Sequence, residues 1–462
     1  MEGMEAAGTR EAIHQAFNAR SIALVGASGD PRKFGYMALN TLIQGGFDGE
    51  IYPVSPRGGE LMGLKVRTAV AQIPGKLDLA VVSVPAESVP AVLLEAAEKG
   101  ARAAVILSGG FGEAGRPDLE AKIAAISRER GIRIMGPNIQ GIIYLPNRLC
   151  AMFFPVIKTP GPLAVISQSG SVTAALSEWA QDEGLGISAA VNLGNQVDLC
   201  DSDYVEFFAS DEYTGAIAMY VEGLKDGRRF LAAVQRAAAR KPVAILKAGK
   251  TAAGKRSAAS HTGALASDYG AFRSACLQHG AYVAEDLESL YDAAKGLATI
   301  RPPRGNRVLS ISSSGGAGTL AADQAEARGL SMPLLPPDAV AAIQGMGPPP
   351  LATLSNPLDM VSIAGEDFRK VLRALDPFDV TDTFLLNFAD PISGGAKVAK
   401  ELASRGPAGL AVAYFGGGEE ERRGRLEMQE AAIAVFPTPE RAMKGIAAAV
   451  WWADYRRRRG LL

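Results

Sequence analysis

Three times in this chain an apolar run passes through a turn of small residues into a helical pattern. The runs are Ser21-Ile-Ala-Leu-Val25 into Gly26–Gly35, Gly161-Pro-Leu-Ala-Val-Ile-Ser167 into Gln168-Ser-Gly-Ser171, and Arg307-Val-Leu-Ser-Ile-Ser312 into Ser313-Ser-Gly-Gly316. Apolar runs without alternation belong to strands covered on both faces, and strands alternating with helices belong to parallel α/β sheets. A second echo, Gly194-Asn-Gln-Val-Asp-Leu199 against Ser355-Asn-Pro-Leu-Asp-Met360, follows the last two runs in the same order. Two echoes in one order indicate a duplicated α/β domain rather than one long sheet. At 462 residues the chain exceeds a single core. Boundaries are expected near residue 150 and at Arg301-Pro-Pro-Arg304, giving domains 1–148, 149–301 and 304–462.

The first domain reads as Rossmann-like. Gly26–Gly35 leads into a helix expected over Tyr36–Gln44, so backbone N–H groups and the positive end of a helix dipole meet at one turn, which suits an anion. A dinucleotide site would also place an acid at the end of the next strand to hold a ribose. The strand Glu50–Val54 ends instead in Ser55-Pro-Arg57, which disfavours NAD. Strands over Leu77–Ser83 and Ala103–Leu107 continue the pattern. Their following loops, Val84-Pro85-Ala86 and Ser108–Glu113, are expected to converge on the Gly26 turn, because ligands bind beyond the carboxyl ends of such strands.

Lysines and arginines (48) nearly balance aspartates and glutamates (49), so no field of one sign points to nucleic acid or a membrane surface. Three dispersed cysteines and the lack of a signal-like start point to a reducing, cytoplasmic setting. The chain has only three histidines, and His261 lies in Ser257-Ala-Ala-Ser-His-Thr-Gly-Ala-Leu-Ala266, beyond the strand Lys241–Lys247. Loops at strand carboxyl ends are where these sheets carry chemistry. Glu222 follows the strand Thr214–Val221. A carboxylate holding one ring nitrogen as N–H fixes the tautomer, so the other nitrogen can attack phosphorus. The phosphoryl group then needs small donors, offered by the helix starts Ser169-Gly170-Ser171 and Ser314-Gly315-Gly316. His14 and His279 read as surface or packing residues. No metal-ligand spacing and no Ser-His-Asp arrangement stands out.

The motif order resembles the alpha subunits of ADP-forming acetyl-CoA synthetases, in the NDP-forming acyl-CoA synthetase superfamily with succinyl-CoA synthetase. Matching stretches include Val25-Gly-Ala-Ser28, Ser83-Val-Pro-Ala86, Gly136-Pro-Asn138, Ser167-Gln-Ser-Gly170, Gly194-Asn195, Tyr220-Val-Glu-Gly223, Ser260-His-Thr-Gly263 and Asn356-Pro357 with Asp359. The resemblance implies an α/β chain with a Rossmann-like CoA-binding domain followed by two flavodoxin-like succinyl-CoA ligase domains. It implies CoA contacts at Gly26, Ala27, Ser28, Ser55, Arg57, Val84, Pro85 and Ser108. It also implies transient phosphorylation of His261, oriented by Glu222, with the phosphoryl group against Ser169, Gly170, Ser171, Gly315 and Gly316. The implied reaction is reversible: acyl-CoA, phosphate and ADP give a small carboxylic acid, CoA and ATP. The chain stops at Arg456-Arg-Arg-Arg-Gly-Leu-Leu462, and the resemblance assigns ATP/ADP and Mg to an ATP-grasp beta subunit in a hetero-oligomer. A CoA-binding regulatory homologue without turnover is the alternative, and an NAD(P)-dependent oxidoreductase is the third reading.

Overall fold

The computed structural model describes residues 2–256, 268–416 and 418–462. The chain divides into two units, Met1–Asp182 with Gly186–His279, and Glu183–Leu185 with Gly280–Leu462. In the first unit, β1 (Ser21–Val25), β2 (Glu50–Val54), β3 (Leu79–Val82), β4 (Ala103–Ile106) and β5 (Arg133–Met135) form a parallel sheet ordered β2-β1-β3-β4-β5. Their apolar runs are buried by helices, as doubly wound sheets require. Val25, Val82, Ile106 and Ile134 share one core with Leu93 and Ile123 of the helices Val89–Glu98 and Pro117–Arg130. The strand order reverses between β1 and β3, which opens a crevice at their carboxyl ends. The sequence predicts a helical lead over Arg10–Arg20; helix α1 (Glu2–Phe17) instead starts earlier and ends sooner. It seats the buried Phe17 ring on Tyr144, with ring centroids 4.9 Å apart.

The second sheet contains β6 (Gly141–Tyr144), β7 (Leu149–Met152), β8 (Pro160–Ser167), β9 (Ile187–Asn192), β10 (Ala216–Val221) and β11 (Val243–Lys247), in the order β11-β10-β8-β9-β6-β7. Strands β8 to β11 pair in parallel. The hairpin β6–β7 straddles the 148/149 position and joins β9 antiparallel. After β9 the chain does not turn straight into a helix. Asn195, Val197 and Leu199 donate their N–H groups to the carbonyls of Pro137, Gly136 and Ile134 at 3.0, 3.0 and 3.1 Å. The loop thereby lines the edge of the first sheet. Asp198 pins it, accepting from Arg133 Nε (2.8 Å) and Nη2 (2.7 Å), Ser127 Oγ (2.9 Å) and the Ile134 N–H (2.8 Å).

The second unit repeats the arrangement. Strands β12 (Val308–Ser312), β13 (Leu358–Asp359), β14 (Thr383–Phe388), β15 (Gly409–Tyr414) and β16 (Ala434–Phe436) form a parallel sheet ordered β13-β12-β14-β15-β16. Two of its helices, Leu287–Thr299 and Pro439–Arg458, cross at glycines: a Cβ on Gly296 would lie 2.4 Å from the Gly445 carbonyl oxygen. Beside the crossing, Asp292 is fully buried and paired with Arg441 at 2.7 Å. Among the described residues, no helix is long and apolar enough to cross a membrane.

Breaking a mostly buried ion pair by deleting one partner leaves the other charge desolvated and uncompensated, at about 3–5 kcal/mol. Asp198→Ala is expected to lower the unfolding free energy of the first unit by about 3 kcal/mol or more, and Asp198→Asn by less, because the amide keeps one acceptor. Urea denaturation followed by intrinsic fluorescence measures both.

Candidate active site

Gly26 ends β1 with φ near 95°, a conformation that favours glycine. A Cβ there would lie 2.1 Å from the Ser83 carbonyl oxygen, so the turn presses directly against the end of β3. The N–H groups of Gly26 and Ala27 both donate to Val54 O, at 2.9 and 3.1 Å, and Ser28 Oγ accepts from the Asp30 N–H. Ser83 N donates to Val25 O at 2.7 Å, and Ser108 Oγ donates to Val84 O at 2.5 Å. The sheet thus brings Gly26, Ala27, Ser28, Val84 and Ser108 together at one crevice. Ser55 sits half-buried beside it after β2, with Arg57 exposed in the same turn and Pro85 exposed on the rim. The expected convergence of these loops is present. The helix behind the turn begins at Phe34, two residues earlier than expected.

A second cluster lies at the carboxyl ends of β8 and β10. Ser167 Oγ donates to Ser169 O (2.8 Å) and accepts from Ser169 N (3.1 Å), closing a tight turn before helix α2 (Gly170–Asp182). The Ser169 and Ser171 hydroxyls are 3.1 Å apart at that helix start. Gln140, from the end of the first sheet, packs so closely that a Cβ on Gly170 would lie 2.6 Å from it.

Gln168 joins this turn to Glu222. Its N–H donates to Tyr220 O (3.1 Å), its Oε1 accepts from the Glu222 and Gly223 N–H groups (2.6 and 2.9 Å), and its Nε2 donates to Gly223 O (2.7 Å). Lys247, buried at the end of β11, donates to Glu222 O at 2.7 Å and to Ala248 O at 2.5 Å. Burial pulls the Lys247 ammonium below its ordinary value, while the nearby Glu222 charge opposes that shift. Burial, then the Glu222 charge and its hydrogen bond, push the Tyr220 hydroxyl up to about 12, so it stays a neutral donor. Sequence reasoning named Glu222 but not Gln168 or Lys247. Their signal was available in their positions, immediately after and within the strands that carry the site. His261 lies outside the described residues.

In the second unit the corresponding turn has the same construction. Ser312 Oγ donates to Ser314 O (2.6 Å) and accepts from Ser314 N (3.1 Å), and helix α3 (Gly315–Ala327) starts with Gly315 and Gly316. Ser313 occupies the place of Gln168: its N–H donates to Asn387 O at 3.0 Å, and its hydroxyl accepts from Ala389 N at 2.9 Å. By this equivalence Ala389 stands where the first copy has Glu222. Both turns share one construction, and the position of the acid Glu222 is taken by an alanine in the second unit.

Comparison with known proteins agrees with this layout. Residues 20–145 match the model of a CoA binding domain, and residues 160–297 that of a succinyl-CoA ligase like flavodoxin domain. The alpha subunit of acetate–CoA ligase [ADP-forming] I from Pyrococcus furiosus is 37% identical over 452 residues, 95% of this chain and 97% of that protein. A trans-feruloyl-CoA synthase of an unknown prokaryotic organism is 34% identical over 95% of this chain and 64% of its own length. The solved acetyl-coenzyme A synthetase 1 of Ca. Korarchaeum cryptofilum, described as dinucleotide forming and in complex with phosphate and ADP, superposes with a TM-score of 0.88 at 34% identity, covering 97% of this chain and 99% of that one. The chain therefore belongs to the family of ADP-forming acetate–CoA ligase alpha subunits and is a ligase subunit of the acyl-CoA synthetase type.

Proposed function

We propose that this chain converts an acyl-CoA and phosphate into a carboxylic acid, CoA and a phosphohistidine on His261, and that an ATP-grasp partner passes the phosphoryl group to ADP. Phosphate attacks the thioester carbonyl, CoA leaves as the thiolate, and an acyl phosphate forms. The His261 ring then attacks phosphorus and releases the carboxylate. Glu222 holds the opposite ring nitrogen as N–H and stabilises the cationic ring that develops. Ser169, Gly170 and Ser171, with Gly315 and Gly316 of the duplicated turn, supply donors to the phosphoryl oxygens. CoA lies along Gly26, Ala27, Ser28, Ser55, Val84, Pro85 and Ser108, with Arg57 forking onto one of its phosphates.

The observation that carries this reading is the clamp in which Gln168 fixes the Glu222 backbone beside the Ser169–Ser171 helix start. Holding the Glu222 backbone next to that turn supports its reading as the acid that serves His261. The same reading divides the chain into a CoA-binding domain over 1–148 and flavodoxin-like domains over 149–301 and 304–462. It assigns Mg with ADP or ATP to the partner, and the whole assembly to the cytoplasm as a hetero-oligomer. The acid is a small carboxylic acid. Similar identities to relatives named for acetate and for ferulate leave its side chain to be read from substrate profiling.

Incubated with its partner and γ-labelled ATP, the chain is expected to gain an acid-labile label that disappears in His261→Ala. In Glu222→Gln the label should form about a hundredfold more slowly. A label that persists without His261 overturns the proposal. The chain alone should make no ATP from acyl-CoA, phosphate and ADP, and adding the partner should restore it, as a luciferase assay reports. Calorimetric titration should detect CoA but not NADH, and Gly26→Val should weaken CoA by on the order of tenfold or more, because the new side chain meets the Ser83 carbonyl.

A further inference from the structure

We propose that Asn195 is a positioning residue for CoA: its side-chain amide holds the loop Ser108–Glu113 in its binding shape and ties it to the ligase-like half of the unit. The inference rests on the reading of the first crevice as the CoA site. Asn195 follows β9 in the second sheet, yet its side chain reaches the first. Nδ2 donates to Glu113 Oε2 at 2.5 Å and to Glu120 Oε1 at 2.7 Å, and Oδ1 accepts from Asn138 Nδ2 at 3.3 Å. Every hydrogen of the amide is used, and each goes to a carboxylate.

Those carboxylates in turn hold the loop backbone. Glu113 Oε1 accepts from the Gly110 and Phe111 N–H groups at 2.6 and 3.1 Å, and Glu120 Oε1 accepts from Gly112 N–H at 3.2 Å. Three successive loop amides are thus fixed through two acids that meet at one amide nitrogen. At the near end of the loop, Ser108 bonds Val84 O and accepts the Asn138 N–H at 2.9 Å. Burial alone would raise the Glu113 carboxyl, and the bonds from Asn195, Gly110 and Phe111 outweigh it, so it titrates below the ordinary carboxylate range.

Asn195 itself cannot drift with the loop. Its N–H donates to Pro137 O at 3.0 Å, and Lys225 Nζ donates to its carbonyl at 2.8 Å. A Cβ on the preceding Gly194 would lie 2.2 Å from the same Pro137 oxygen, so the backbones touch. The loop therefore takes its shape from Asn195. A neutral amide suits the task, since it bridges two acids without adding charge. A carboxylate in its place would face two others at hydrogen-bond distance.

Titration calorimetry of CoA into the full chain with its partner reads the effect directly. Asn195→Ala is expected to raise the Kd on the order of tenfold, because the two acids that fix the Gly110, Phe111 and Gly112 amides lose the group that joins them, and Asn195→Asp to raise it further. Adding Glu113→Gln to Asn195→Asp should recover most of the second loss, because the new amide can donate to the new acid. The ATP-driven label on His261, which needs no CoA, should form at the wild-type rate in the single variants. Asn195→Ala with lowered melting temperature but unchanged Kd for CoA makes the residue merely structural and overturns the inference. Failure of Glu113→Gln to restore binding overturns the charge argument and the inference with it. If the wild-type chain binds no CoA, the reading of the crevice fails first, and the inference falls with it.

Discussion

The first unit depends on one desolvated carboxylate. Asp198 accepts hydrogen bonds from Nε and Nη2 of the Arg133 guanidinium, from Ser127 Oγ and from the Ile134 N–H. Taking a charge out of water costs several kcal/mol unless its lone pairs are satisfied, and here they are. The result is a loop from the second sheet hydrogen-bonded along β5 of the first. Beside this seam, Asn195 reaches Glu113 and Glu120, Gln140 packs on Gly170, and Asn192 Oδ1 accepts from the Gln140 N–H at 2.8 Å. The seam thus sets the spacing between the crevice at the ends of β1 and β3 and the Ser169–Ser171 turn.

Duplication explains the economy of the site. Both copies build the same turn, in which a strand-end serine bonds both backbone groups of the residue two positions on, Ser167 to Ser169 and Ser312 to Ser314. The position after that serine differs. A glutamine is long enough to grip both amides of Glu222-Gly223, whereas Ser313 reaches only the Ala389 N–H. The Asp198 position diverges as well. Asp359 bonds the Val361 N–H locally and lies against Gly315, where a Cβ would be 2.9 Å from its oxygen. One copy has an acid, Glu222, and the Asp198 seam where the other has Ala389 and a locally bonded Asp359.

Much of the fold was legible because strands in such sheets announce themselves locally. The buried runs at Ser21–Val25 and Glu50–Val54 were located to the residue, since an apolar run ended by Gly or Pro leaves little choice. The hairpin β6–β7 escaped notice because its partner is β9, some 45 residues on, and pairing at that separation leaves no local mark. Glu222 was visible as an acid at a strand end. Gln168 and Asn195 were present in quoted motifs without a role, because an amide earns one only from partners that the fold brings in: Asn195 meets residues 75 and 82 positions away. Helix α1 was misplaced because its helical propensity extends ahead of Arg10, while its end is set by packing of Phe17 on Tyr144, a tertiary contact.

The recurrent use of amides at the seam has an electrostatic reason. A site for phosphate and CoA gains from the positive potential of helix starts, and each fixed acid nearby erodes it. Beyond the Asp198–Arg133 pair, further ion pairs would bring more such acids in, whereas cross-links made of asparagine and glutamine supply donor and acceptor at no charge. Asn138, Asn192, Asn195 and Gln168 follow that rule. Glu113 and Glu120 are occupied by loop N–H groups, and Glu222 has the Lys247 ammonium against its own carbonyl. Glu222 is the acid that the Gln168 clamp fixes beside the Ser169–Ser171 helix start, and under the proposed mechanism a negative charge there orients a histidine rather than only opposing the incoming anion.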